Sequence, residues 1–95
     1  MSQDMQKRIA TIENWEVVEP VSLQGFEQLS PGKRLTGRVL GHANLPSATR
    51  IYTSAILSVD LRRGVVETRN TIYRLGEASE EYKSWRQKQK IAAAA

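Results

Sequence analysis

Ninety-five residues without a cysteine bound this chain to one domain with a modest core, and they exclude a disulfide framework or a thiolate metal site. No segment approaches the length of a membrane-spanning helix, and the N-terminus has no apolar signal-peptide run, so a cytoplasmic protein is the expectation. The formal net charge is +4, and it is concentrated: the first 82 residues hold ten basic and ten acidic side chains, and Lys83, Arg86, Lys88 and Lys90 supply the whole excess. A basic end to a neutral body points to an anionic partner or to a solvated helix end.

Residues 1–14 are polar and charged, with Met5, Ile9 and Ile12 at roughly helical spacing. They read as an N-terminal arm or a short helix, ahead of a single small α+β domain over 15–91. Trp15–Val21 (WEVVEPV) reads as a strand that ends near Pro20, which cannot donate to a ladder. A connection over 22–34 follows, with Ser30-Pro31-Gly32 as its turn and with Phe26 and Leu29 plugging the core edge. Leu35–Leu40 (LTGRVL) is the next strand, where Gly37 weakens pairing or marks a bulge. Asn44-Leu45-Pro46-Ser47 is a turn.

The stretch from Arg50 to Leu75 is rich in Val, Ile, Thr and Tyr, which suit a pleated, half-buried surface. It reads as a long hairpin, 50–75, closed by Leu61-Arg62-Arg63-Gly64, with Gly64 taking the positive φ. Pairing Asp60 with Val65 sets Val59 opposite Val66 and Ser58 opposite Glu67. Continued, that register sets Leu57 opposite Thr68, Ile56 opposite Arg69, Ser54 opposite Thr71 and Tyr52 opposite Tyr73. Beyond Gly76, Ser79 is placed as an N-cap, with Glu80 and Glu81 in the first turn and cations toward the C-terminus. Tyr82, Trp85 and Gln89 share one helical face, which should dock on the sheet. Residues 92–95 form an alanine tail.

The chain offers little for catalysis. His42 is the lone histidine and lacks an evident partner; no phosphate loop, metal-ligand spacing or paired acid and base occurs. Ligand binding fits better. In the hairpin register Ser54, Thr71 and Arg69 are neighbours, and hydroxyls with an Arg fork suit phosphate oxygens. Asn70 can offer its amide to a base edge, and Tyr52 and Tyr73 can stack on a base. Against this, Thr, Ser and paired Tyr are also ordinary strand residues.

The run LTGRVLGHANLP, followed by RIYTSAILSVDLRRGVVETRNTIYRLGE, combines several signals. A Gly-Arg-Val-x-Gly-His segment leads through a turn to Ile-x-Thr-Ser-x-Ile, an acid before a turn, and Thr-x-Asn-Thr-x-Tyr-x-Leu. Over about Leu35 to Glu77 it resembles the phage Thoeris anti-defence proteins of the first type. Gly41, His42, Thr53, Ser54, Thr68, Asn70, Thr71 and Tyr73 carry the likeness. Pro46-Ser47-Ala48 departs from it, where Asp-Gly is expected. The resemblance implies a small β-sheet protein with a C-terminal helix that assembles as an oligomer with ligand pockets between protomers. It also implies sequestration of cyclic ADP-ribose isomers made by bacterial TIR enzymes, or of cyclic oligonucleotides.

The expectation is therefore a non-enzymatic, phage-type binding protein without cofactor or metal, acting in an infected bacterial host as a homo-oligomer. Its expected ligand set is Arg69, Asn70, Thr71, Tyr73, Thr53, Ser54, Tyr52, His42, Arg38 and Arg86, with Arg34 and Arg50 further candidates by type. Two alternatives stand beside it, ahead of a blander third, a purely structural phage component. One is a nucleic-acid-binding module using exposed tyrosines and the basic helix. The other is a protein-binding inhibitor of a host defence complex.

Overall fold

A computed structural model describes residues 7–21 and 25–94. Six strands precede one helix: β1 Arg8–Val18, β2 Arg34–Leu40, β3 Thr49–Tyr52, β4 Ile56–Asp60, β5 Val65–Thr68, β6 Thr71–Leu75 and α1 Glu80–Ala94. They form a single sheet in the order β3-β2-β1-β6-β5-β4. All neighbours are antiparallel except β1 and β6, which run parallel. The α+β class with a mostly antiparallel sheet and a C-terminal helix is thus as the sequence indicates.

The connectivity forces the sheet to curl. β3 and β4 are its two edges, yet only Thr53, Ser54 and Ala55 separate them. In a flat sheet those edges would stand five spacings apart, about 24 Å. Four Cα steps reach only about 14 Å. The sheet closes where the start of β4 meets the segment leading into β2: Ile56 N–H donates to the Lys33 carbonyl at 2.8 Å and Gly32 N–H donates to the Ile56 carbonyl at 2.8 Å. The result is a small barrel. Ala10, Ile12, Val17, Leu35, Val39, Ile56, Val66 and Tyr73 fill it; burial alternates along the first half of β1, while Leu35, Thr36 and Gly37 of β2 and Val17 and Val18 of β1 are buried in succession.

Two features set the geometry of the β1–β2 half. β1 carries a bulge between Glu13 and Glu16, with Asn14 at φ 54°. Gly37 of β2 lies against that bulge. A Cβ there would stand 2.8 Å from the Glu13 carbonyl oxygen and 2.9 Å from Ile12 Cγ1, so only glycine fits the close approach.

The helix is capped as its sequence suggests. Ser79 Oγ accepts from Tyr82 N–H at 3.0 Å and donates to Glu16 Oε2 at 2.9 Å. Tyr82 is fully buried and Trp85 half-buried. Tyr82 meets Trp15, Phe26 and Trp85 with ring centroids 5.4–5.6 Å apart. Its hydroxyl donates to the Glu27 carbonyl at 2.6 Å, and burial pushes its pKa up to about 12. Phe26 and Leu29 do pack on the core edge.

Three expectations need correction. Residues 8–14 are neither arm nor helix: they open β1, which is held between β2 and β6, so Ile12 is buried while Ile9 faces out. Residues 1–6 lie outside the described part. The helix runs through Ala92 to Ala94, so the alanine run is not a separate tail; Ala95 lies outside the described part.

The third correction concerns the hairpin, which is four strands. Its register holds from Asp60↔Val65 through Ser58↔Glu67. It then slips by one at Leu57, and Ile56 pairs with Thr68. Before that point the chain leaves for the far edge, where β3 pairs with β2. After Thr68 it reverses at once: Thr68 Oγ1 donates to the Thr71 carbonyl at 3.0 Å and accepts from Thr71 N–H at 3.3 Å. Tyr52 therefore never meets Tyr73, nor Ser54 Thr71.

A candidate anion-binding face on strands 1 to 3

Side chains of β1, β2 and β3 that point away from the barrel share one surface. The register stacks them in cross-strand rows. Glu16, Thr36 and Tyr52 form one row, and Glu13, Arg38 and Arg50 the next. At the near end Val18 lies opposite Arg34. Thr53 is bonded to Leu35 through both N–H and Oγ1, which carries Ser54 alongside Arg34. Arg38 and Arg50 face each other directly, with Cα atoms about 5 Å apart, and Arg34 lies about 13 Å along β2.

The charge on this face is unbalanced. Glu13 is turned away: its Oε1 accepts from Glu77 N–H at 3.0 Å. Glu16 takes the Ser79 hydroxyl and stands 3.9 Å from Arg50. Among the described residues no carboxylate lies within 4.0 Å of Arg34 or Arg38; Arg38 Nη1 donates only to the Ala48 carbonyl at 3.3 Å. Among the described residues three buried side-chain polar atoms have no partner, Arg34 Nε, Thr36 Oγ1 and Ser54 Oγ, and all three belong to this face. A hydroxyl buried without a partner is costly, and such groups concentrate where a ligand completes them. Tyr52, half exposed, offers its ring beside them. Two facing guanidinium groups can hold a phosphate or pyrophosphate, the ring can stack a base, and the hydroxyls can bind ribose oxygens.

The expected residues divide accordingly. Arg38, Tyr52 and Ser54 come together here, with Arg34 and Arg50. Thr36 was overlooked, although it lies two residues from Arg34 and Arg38 on the same strand face, a spacing the sequence displays. Thr53, Thr71 and Tyr73 are buried in the barrel wall and interior, as Thr36 is, but the Thr53 hydroxyl already accepts from Leu35 N–H and donates to the Ser54 carbonyl, whereas the Thr36 hydroxyl has no partner among the described residues. Burial also raises the Tyr73 pKa. Arg69 and Asn70 are exposed on the β5–β6 turn, and His42 is half-buried on the β2–β3 loop, where its Nδ1 accepts from Asn44 N–H at 3.1 Å. Both loops flank the start of β1, since Leu40 pairs with Thr11 and Thr71 with Arg8. Arg86 sits on the helix, 5.8 Å above the Tyr82 ring, at the opposite end.

A second concavity, about 360 Å³, lies on the outer face of β4–β6 and is lined by Ile9, Ser58, Asp60, Arg63, Val65, Glu67, Ile72 and Arg74. Its acids are matched, while among the described residues Arg74 has no carboxylate within 4.0 Å. Arg63 stands 3.7 Å from Asp60 and Lys7 2.6 Å from Glu67, and the Lys7 hydrogen bond holds the Glu67 carboxyl below its usual pKa. Among the described residues no His, Asp and Glu cluster could hold a metal ion, and no helix is long and apolar enough to cross a membrane. Comparison with protein-family models, curated proteins and solved structures finds no match.

Proposed function

We propose that this chain is a non-enzymatic binding protein that captures an anionic cyclic nucleotide, and that it serves a phage as an anti-defence sponge in the cytoplasm of an infected bacterium. One observation carries the reading: Arg34, Arg38 and Arg50, an exposed Tyr52 and the unpartnered Thr36 and Ser54 hydroxyls share one sheet face. The sequence resemblance supplies the ligand class, a cyclic ADP-ribose isomer or a cyclic oligonucleotide. In this mechanism Arg38 and Arg50 neutralise the phosphates, Tyr52 stacks the base, and the half-buried Ser54 hydroxyl holds a ribose oxygen. A sponge needs affinity alone, so no side chain has to exchange a proton with the ligand.

We further propose that the protein works as a homo-oligomer. The anion face is open rather than enclosed, and a second copy laid across it would complete a pocket that buries the ligand.

The test is light scattering on the purified chain, then calorimetry and thermal melting against cyclic ADP-ribose isomers and cyclic di- and trinucleotides. A ligand binding only the folded state stabilises it by about 2.7 kcal/mol at one hundred times its Kd. The expected result is an oligomer with a raised melting temperature for a cyclic nucleotide. Absence of both heat and melting shift across that panel, with the protein folded, overturns the reading.

A further inference from the structure

The C-terminal helix carries a second charged surface, remote from the three-strand face. Its packed side is short: Tyr82 is buried, Trp85 half-buried, and every other described side chain from Lys83 to Ala92 is exposed. Lys83, Arg86, Gln87 and Lys90 fall at i, i+3, i+4 and i+7 and line one shallow concavity of about 130 Å³. Arg86 and Lys90 also line the next, of about 220 Å³, with Gln28 and Gln89. Arg86 is fixed over the Tyr82 ring. Of the three cations on this stripe only Lys83 has an acid among the described residues, Glu77 at 2.7 Å and Glu80 at 3.5 Å. Lys88 adds a charge on the far side of the helix, and no acid follows Glu81.

The chemistry of this surface selects its partner. Ile91 is the one large apolar side chain exposed on it. Protein interfaces are centred on aromatic and apolar anchors and are depleted in Lys. A second copy offers little complementary charge, because Glu16, Glu27, Asp60, Glu67, Glu77 and Glu80 already pair with Arg50, Lys33, Arg63, Lys7 and Lys83, which leaves Glu81 exposed without an ion pair among the described residues. We infer that the Lys83–Lys90 surface of the helix binds the phosphate backbone of nucleic acid, without sequence preference. Lysine, arginine and glutamine donors on a solvated helix suit phosphate oxygens, and nothing on the stripe reads a base edge. This surface acts independently of the ligand face.

The experiment is fluorescence anisotropy of a labelled 20-base-pair DNA duplex, titrated with the full chain at 50 and 200 mM salt. Three displaced counterions weaken binding about 40-fold over that range. The R86Q/K88Q/K90Q variant should lose at least tenfold in affinity at 50 mM salt and most of the salt dependence. Glutamine keeps the helix propensity. Because Arg86 touches Tyr82, K88Q/K90Q is made as well; it leaves the packing untouched and should show an intermediate loss. R38A should bind duplex as the wild type does, which separates this surface from the cyclic-nucleotide site. No binding at 50 mM salt overturns the inference. So does a salt-insensitive affinity, or a K88Q/K90Q variant that binds unchanged.

Discussion

The two outer faces of this barrel are built from similar strands and differ in how their charges are disposed. The β4–β6 face has a concavity of about 360 Å³ in which both acids are matched, Asp60 by Arg63 and Glu67 by Lys7, and among the described residues Arg74 is the cation left without a carboxylate. The β1–β3 face leaves Arg34 and Arg38 without carboxylates and, among the described residues, holds the three buried side-chain polar atoms without partners. Shape alone would select the first face. Incomplete chemistry selects the second, because unmatched guanidinium groups and unpaired hydroxyls are groups that an anionic ligand can satisfy.

The largest expected effect tests that comparison directly. Substituting both facing arginines, R38A/R50A, should weaken cyclic-nucleotide binding at least a hundredfold. Each charge-assisted contact contributes about 1.5–3 kcal/mol, and 1.4 kcal/mol is a factor of ten. R63A/R74A on the other face should stay within about twofold of the wild type by calorimetry. A loss confined to R63A/R74A would move the site to the β4–β6 groove.

Next comes a difference in construction. Gly37 underlies the β1–β3 face, where a Cβ would meet the Glu13 carbonyl and Ile12 Cγ1. G37A should lose about 2 kcal/mol, or roughly 10 °C in melting temperature. Gly64 closes the β4–β5 turn at φ 67° with nothing within 4 Å of an added Cβ. G64A meets only the conformational cost, about 1 kcal/mol. Equal melting temperatures for the two variants would mean that the close strand approach relaxes freely.

How legible the two faces were follows from the range of the interactions that make them. The Asp60–Val65 turn, the Ser79 cap and the docking of Tyr82 and Trp85 rest on contacts close in sequence or on one helical face, and the sequence displays them. The slip at Leu57 and the departure of β3 do not follow from alternation. Ile51 and Tyr52 are good strand residues for either partner, and only barrel closure decides that β3 joins β2. The Thr68–Thr71 turn had a visible signal, Asn70 flanked by threonines, which competes with a continuous ladder. Thus Arg38, Tyr52 and Ser54 were identifiable by type, while their grouping with Arg34, Arg50 and Thr36 required the β2–β3 register.

A smaller effect tests the helix seam that braces the β1–β3 side through Ser79 and Glu16. The Tyr82 phenol titrates near 10 in the unfolded chain and near 12 when folded, chiefly because burial disfavours the phenolate. Between those values the unfolded chain has released its proton and the folded chain has not. Stability from this group is intact below pH 10 and falls as the pH climbs toward 12, by on the order of 2 kcal/mol. Y82F loses about 1 kcal/mol at neutral pH with the bond to the Glu27 carbonyl. Its melting temperature should then decline less steeply than the wild type's above pH 10. Parallel declines would place the alkaline loss elsewhere, in the lysines or Tyr73.

The smallest expected change lies beside the arginines themselves. Ala48 sits at φ 67°, a region that costs an L-residue about 1 kcal/mol, and its carbonyl accepts from Arg38 Nη1. A48G relieves that cost but gives the unfolded chain more freedom, so the net gain should be about 0.5 kcal/mol, a rise of roughly 3 °C. The carbonyl remains, so ligand affinity should not change. A stable A48G variant with weakened binding would show that the Ala48 backbone aims Arg38. A drop in melting temperature with unchanged binding would show that the left-handed turn is held by its bonds to Val39 and Pro46 without appreciable strain.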